Sequence, residues 1–76
     1  MKLLYESNNG WGIRKQKDLF NNSDSFVIYR FYPVEGWMPY KFVGNSLSLC
    51  FTWLWRSNFI SFDEMTYQID LIKEDN

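Results

Sequence analysis

The chain has 76 residues, enough for one domain built on one core. It holds seven Phe, five Tyr and four Trp, no His, no Ala and a single cysteine, Cys50. That composition excludes an internal disulfide framework and a Cys/His zinc site, removes the commonest general base, and argues against a helical bundle.

The formal charge is −1, so no bulk attraction to nucleic acid or membrane is expected. The charge is unevenly placed. Residues 1–60 carry seven Lys/Arg against four Asp/Glu, whereas residues 61–76 carry Lys73 against Asp63, Glu64, Asp70, Glu74 and Asp75. The apolar start Leu3-Leu4-Tyr5 stops at Glu6, too short for a signal sequence. The longest apolar-dominated stretch, Leu47 to Trp55, falls well short of the ~20 residues of a membrane helix. A soluble, cytoplasmic protein with no membrane partner is the expectation.

In chain order, the first strand is expected near 2–7 and the second near 11–17, joined by Asn8-Asn9-Gly10. Asn-Gly favours a type I′ hairpin turn because both central residues need positive φ. The register stays open, since a two-residue and a four-residue loop give opposite facings. Asn21-Asn22-Ser23-Asp24-Ser25 is a second polar turn. Phe26 to Tyr32 follows, rich in β-branched and aromatic residues and stopped by Pro33, which predicts a strand over 26–32. Residues 33–46 contain both prolines, Gly36 and Gly44, and read as a long loop, with room for a short strand at 40–43.

Leu47, Leu49, Phe51, Trp53 and Trp55 alternate with Ser48, Cys50, Thr52, Leu54 and Arg56. Alternation over ten residues predicts a strand over 47–56 with one buried and one wet face. The last segment reads as a helix over 62–74. Ser61 and Glu64 fit a capping box, Ile60 and Met65 a hydrophobic staple, and Asp63 and Glu64 favour the positive end of the helix dipole. Phe62, Met65, Ile69 and Ile72 recur at helical spacing, although Tyr67, Ile69 and Leu71 also alternate.

The fold class that follows is α+β: an antiparallel meander of three to four strands with one C-terminal helix on one face. A single helix covers one sheet face only, so the other face is where function is expected. If Val27, Tyr29 and Phe31 face the helix, then Phe26, Ile28, Arg30 and Tyr32 face outward, joined by Leu54 and Arg56. Trp37 and Tyr40 in the 33–43 loop add two more anchors. Aromatic and Arg residues together have the composition of an interface core.

Chemistry is scarce. The carboxylates offer no pair placed for the ~5–10 Å separation of a glycosidase-type site, and Asp63 and Glu64 already have a role as first-turn acids. Gly10-Trp11-Gly12 lacks the Gly-Lys-Ser/Thr end of a phosphate loop. Cys50 reads as a small packing residue rather than a reactive thiol. No catalytic residue, metal site or cofactor is assigned, and no enzyme is expected. Trp11 with Arg14, Lys15 and Lys17 forms the one basic-aromatic cluster, the ingredients of a nucleic-acid platform. Lys on a strand is more often an ordinary guard against edge pairing or part of a solvated face.

The segment Trp53-Leu54-Trp55-Arg56 to Ser61-Phe62-Asp63-Glu64-Met65 resembles the strand-then-helix end of the arm-type DNA-binding modules of phage integrases. It carries over no site residue. By composition alone, small acidic proteins with exposed aromatics are similar to phage-encoded inhibitors of host machinery. The functional expectation is a non-enzymatic module that binds another protein, of the type of a small inhibitor or accessory subunit. The alternatives are a nucleic-acid-binding module and a self-associating homodimer.

Overall fold

The computed structural model describes residues 2–74. Four strands precede two helices: β1 (Tyr5–Glu6), β2 (Trp11–Lys17), β3 (Asp24–Tyr32), β4 (Gly36–Gly44), α1 (Leu47–Arg56) and α2 (Phe62–Glu74). The strands form one antiparallel sheet in the order β1-β2-β3-β4, so the fold is α+β. Two helices, rather than one, pack on the same sheet face.

The first hairpin pairs Tyr5 with Ile13 and Glu6 with Gly12, which leaves Ser7 to Gly10 as the loop. It is not a type I′ turn. Gly10 alone takes positive φ, at 89°, and its N–H reaches the Ser7 carbonyl at 3.4 Å. At the β3–β4 turn, Pro33 supplies the fixed φ of a turn position and Gly36 the left-handed conformation, at φ 79°.

Residues 36–44 are therefore a nine-residue strand and not a loop. Pro39 fits because β4 is an edge strand and because the pairing slips there. Ile28 pairs with Lys41 and Tyr29 with Pro39, leaving Tyr40 as an extra residue. A second slip, between Phe26–Gly44 and Val27–Phe42, leaves Val43 extra.

Residues 47–56 are helix α1, which overturns the strand read from alternation. The polar residues Ser48, Thr52 and Arg56 recur every fourth position, and so mark a helix flank as well as an alternating pattern. Cys50, Phe51 and Leu54 form the opposite, buried stripe. The ends decide the matter. Ser46 is the N-cap, its Oγ accepting the Leu49 N–H at 3.3 Å. At the other end Asn58 takes φ 64°. The Asn58 N–H then donates to the Trp55 carbonyl and the Phe59 N–H to the Leu54 carbonyl, both at 2.9 Å. That is the Schellman pattern, and Phe59 packs on Trp53 as its hydrophobic contact. The outline likeness to integrase arm modules lapses with the strand at Trp53–Arg56.

α2 lies where the sequence predicts it. Ser61 Oγ accepts the Glu64 N–H at 3.0 Å. The reciprocal half of the capping box is replaced, because the Glu64 carboxylate accepts from Gln68 Nε2 at 3.2 Å. The core joins Trp11, Ile13 and Ile28 of the sheet to Cys50, Phe51 and Leu54 of α1 and Met65 of α2, with Phe26, Val43, Ile69 and Ile72 packed around them.

Leu54→Ala and Met65→Ala should each cost about 2–5 kcal/mol in urea unfolding. Ser46→Ala should cost about 0.5–2 kcal/mol through loss of the cap. Leu71→Ala, on the exposed side of α2, should fall well below Met65→Ala. The reverse ranking of Leu71 and Met65 would contradict this helix.

Candidate functional site

Residues paired across antiparallel strands share a face, so the register assigns every side chain to one of two surfaces. Tyr5, Ile13 and Ile28 lie under the helices, as do Trp11 and Phe26. Gly12 with Tyr29, Arg14 with Val27 and Phe42, and Phe31 with Trp37 lie on the other face. Among the described residues, no helix covers that second face.

It is nonetheless apolar. Val27 and Tyr29 are buried beneath their own neighbours. A Cβ on Gly12 would stand 2.8 Å from Leu3 Cδ1 and 3.0 Å from Trp37 Cζ3, so both side chains close over the space a larger residue would fill. Trp37 meets Phe31 edge-on with ring centres 5.4 Å apart. Arg14 Nη1 donates to the Tyr29 hydroxyl at 3.2 Å. Around this centre Phe31 and Phe42 remain open to solvent, Phe42 with 60% of its surface exposed.

The helix-covered face carries an aromatic network. Trp11 stacks on Phe59 at 3.9 Å, holds the Arg30 guanidinium 4.5 Å from its ring centre, and meets the Tyr40 edge at 5.0 Å. Tyr40 also touches Trp53, and half of it is exposed at the rim. Arg30 Nη1 donates to the Asn9 carbonyl at 3.0 Å, and Asn9 Nδ2 donates to the Phe59 carbonyl at 2.8 Å. The β1–β2 turn is thus tied to the link between the helices.

The expected partner-binding residues do not form one surface. The facing of β3 is the reverse of the expectation. Phe26, Ile28 and Arg30 lie on the helix side, and Ile28 is fully buried. The inversion follows from α1 and α2 choosing the Ile13–Ile28 face, since a shift of one residue exchanges the two faces. Tyr32 has that same parity but is exposed. Trp37 lies on the open face, Tyr40 at the aromatic rim, and Arg56 at the C-terminal end of α1.

The basic-aromatic set is also dispersed. Trp11 is only 4% exposed, with its ring engaged by Phe59 and Arg30. Arg14 lies on the opposite face from Trp11. Lys15 and Lys17 face Asp24 at 3.9 and 3.4 Å. Among the described residues no base-stacking platform is assembled from these four.

The sequence reading missed one feature. Leu19 and Phe20, at the β2–β3 turn, are 95% and 101% exposed. The turn is pinned: the Asn22 N–H donates to the Asp18 carbonyl at 2.9 Å, the Asp18 N–H donates to the Ser23 carbonyl at 2.8 Å, and Asp18 Oδ1 accepts the Phe20 N–H at 2.8 Å. An Asp before and Asn-Asn-Ser after an apolar pair was the available signal.

Comparison with protein-family models, curated proteins and solved structures gave no match. Among the described residues, no group of three or more His, Cys, Asp or Glu is placed to hold a metal ion. Among the described residues, no helix is long and apolar enough to cross a membrane.

Cys50 lies in the core and not on a wet face; burial pushes its thiol up to about 11 from 9.0. Burial, and then the charge of Glu64, push the Tyr5 hydroxyl up to about 12 from 10.0. Both shifts favour the neutral form in the folded state. Their contribution is whole below the unfolded values and is lost as pH rises through the folded ones. The urea midpoint should therefore hold level from neutrality to about pH 9.0 and fall from there toward pH 11. In Cys50→Ala the fall should start later, near the Tyr5 range. An onset unchanged by Cys50→Ala would contradict the assignment.

Proposed function

We propose that this protein is a non-enzymatic module that binds another protein through the open sheet face and the β3–β4 hairpin. The observation that carries the reading is an apolar sheet face with no helix over it, centred on Tyr29 and Trp37 and continued to solvent by Phe31 and Phe42. Contiguous exposed apolar area beside polar groups is the usual mark of an interaction surface. Aromatic residues contribute large contact area at a low cost in side-chain entropy. The hairpin supports the same use, because Met38 and Tyr40 stay exposed on the other side of the same edge strand. The lack of histidine and the buried, protonated Cys50 leave few groups suited to acid–base or nucleophilic chemistry.

The test compares proteins captured by the wild-type chain with those captured by Phe31→Asp and Phe42→Asp. Tyr67→Ser, on the exposed side of α2, is the control, and each variant is first checked for native circular dichroism. A partner retained by Tyr67→Ser and lost from both β-strand variants is the expected result. Capture unchanged by Phe31→Asp and Phe42→Asp would remove the open face as the binding surface.

A further inference from the structure

A second surface lies on the α1 side of β4 and meets the open face at the edge residue Phe42. Between β4 and α1 runs an open groove of about 330 Å³, lined by Lys41, Phe42 and Val43 on one side and Leu49, Thr52, Trp53 and Arg56 on the other. The α1 residues recur at helical spacing, so one whole helix flank forms a wall. The lining is mainly apolar, and Leu49 on its α1 wall is exposed.

Among the described residues, the charges in the lining are two cations. Lys41 Nζ lies 5.7 Å from the Trp53 ring centre, a cation–π contact, and Arg56 closes the far end in the last turn of α1. Among the described residues neither has a carboxylate within ion-pair distance; the ion pairs found there are those of Lys15 and Lys17 with Asp24. This is notable in a chain of net charge −1 whose acids cluster on α2. The groove thus presents positive charge on an apolar floor, the complement of an acidic amphipathic segment. Apolar side chains would rest on Leu49, Val43 and Trp53 while carboxylates meet Lys41 and Arg56. A cationic or purely apolar segment would leave these two charges repelled or desolvated.

We infer that the β4–α1 groove is a docking site for an acidic, amphipathic peptide segment of a partner protein.

The experiment is a selection from a random peptide display library against the full chain. The strongest peptides are then synthesised and titrated into isotopically labelled protein, followed by NMR. The expected peptides combine Asp or Glu with bulky apolar residues and shift the amide signals of Lys41–Val43 and Leu49–Arg56. Binding should weaken by about tenfold or more in the double variant Lys41→Glu/Arg56→Glu, and should weaken with added salt. Phe31→Asp should bind the peptides as wild type does, which separates this site from the open face. Selected peptides without acidic bias, no selected peptide at all, or affinity unchanged in the double variant would overturn the inference. So would two other occupants: concentration-dependent dimerisation abolished by Lys41→Glu/Arg56→Glu, which assigns the groove to a second copy, or an oligonucleotide shifting the same amides more strongly than the peptides.

Discussion

The structure depends on one docking choice. Cys50, Phe51 and Leu54 of α1 settle on Ile13 and Ile28 and not on Val27 and Tyr29. Strand side chains alternate, so that single choice assigns the residues of β2 and β3, and those of β4 paired with them, to the covered or the open face. Ile13, Ile28 and Leu54 lose all their exposed surface, and burial of each such side chain contributes on the order of 1.5–3 kcal/mol. The open face receives Gly12, Val27, Tyr29, Phe31, Trp37 and Phe42, together with Arg14. Its apolar character is therefore a consequence of strands that are hydrophobic on both sides and helices that cover only one.

The aromatic excess serves two ends. Part of it is structural. Trp11 sits at the junction of sheet, turn and interhelix link, engaged by Phe59, Arg30 and Tyr40, and Phe59 is also the residue that completes the C-terminal cap of α1. A change at Phe59 would therefore act on the cap and on the Trp11 cluster together. The rest of the excess is displayed, along Phe31 and Phe42 on the open face, at Tyr40 on the rim, and at Phe20 on a pinned turn. Display on ordered elements keeps the cost of binding low, because little freedom is left to lose.

The α+β class, the second and third strands and the C-terminal helix were legible from turn residues, β-branched runs and the Ser61 cap. The two misread segments, 47–56 and 33–46, failed for different reasons. In 47–56 seven of ten residues are apolar, so a period of two and a period of 3.6 both fit. Only the polar positions Ser48, Thr52 and Arg56, with Ser46 before and Asn58 after, favour the helix. In 33–46 the prolines and glycines imitate a loop, whereas Pro39 occupies an edge-strand slip and Pro33 and Gly36 shape a hairpin turn. The candidate site suffered most, because its residues were chosen by parity. Parity depends on which face the helices occupy, and with Val27, Ile28, Tyr29 and Phe31 all apolar the local pattern does not contain that information. Trp37 was reached by a different route, as an aromatic in the 33–43 segment, and it does lie on the open face.

The most direct test of this account is the set of nuclear Overhauser contacts from the Leu54 methyls. The docking described here predicts contacts from Leu54 to the methyls of Ile13 and Ile28, with none to Val27 or the Tyr29 ring. Contacts from Leu54 to Val27 and Tyr29 would place the helices on the other face, and the open apolar surface with its proposed partner would then be lost.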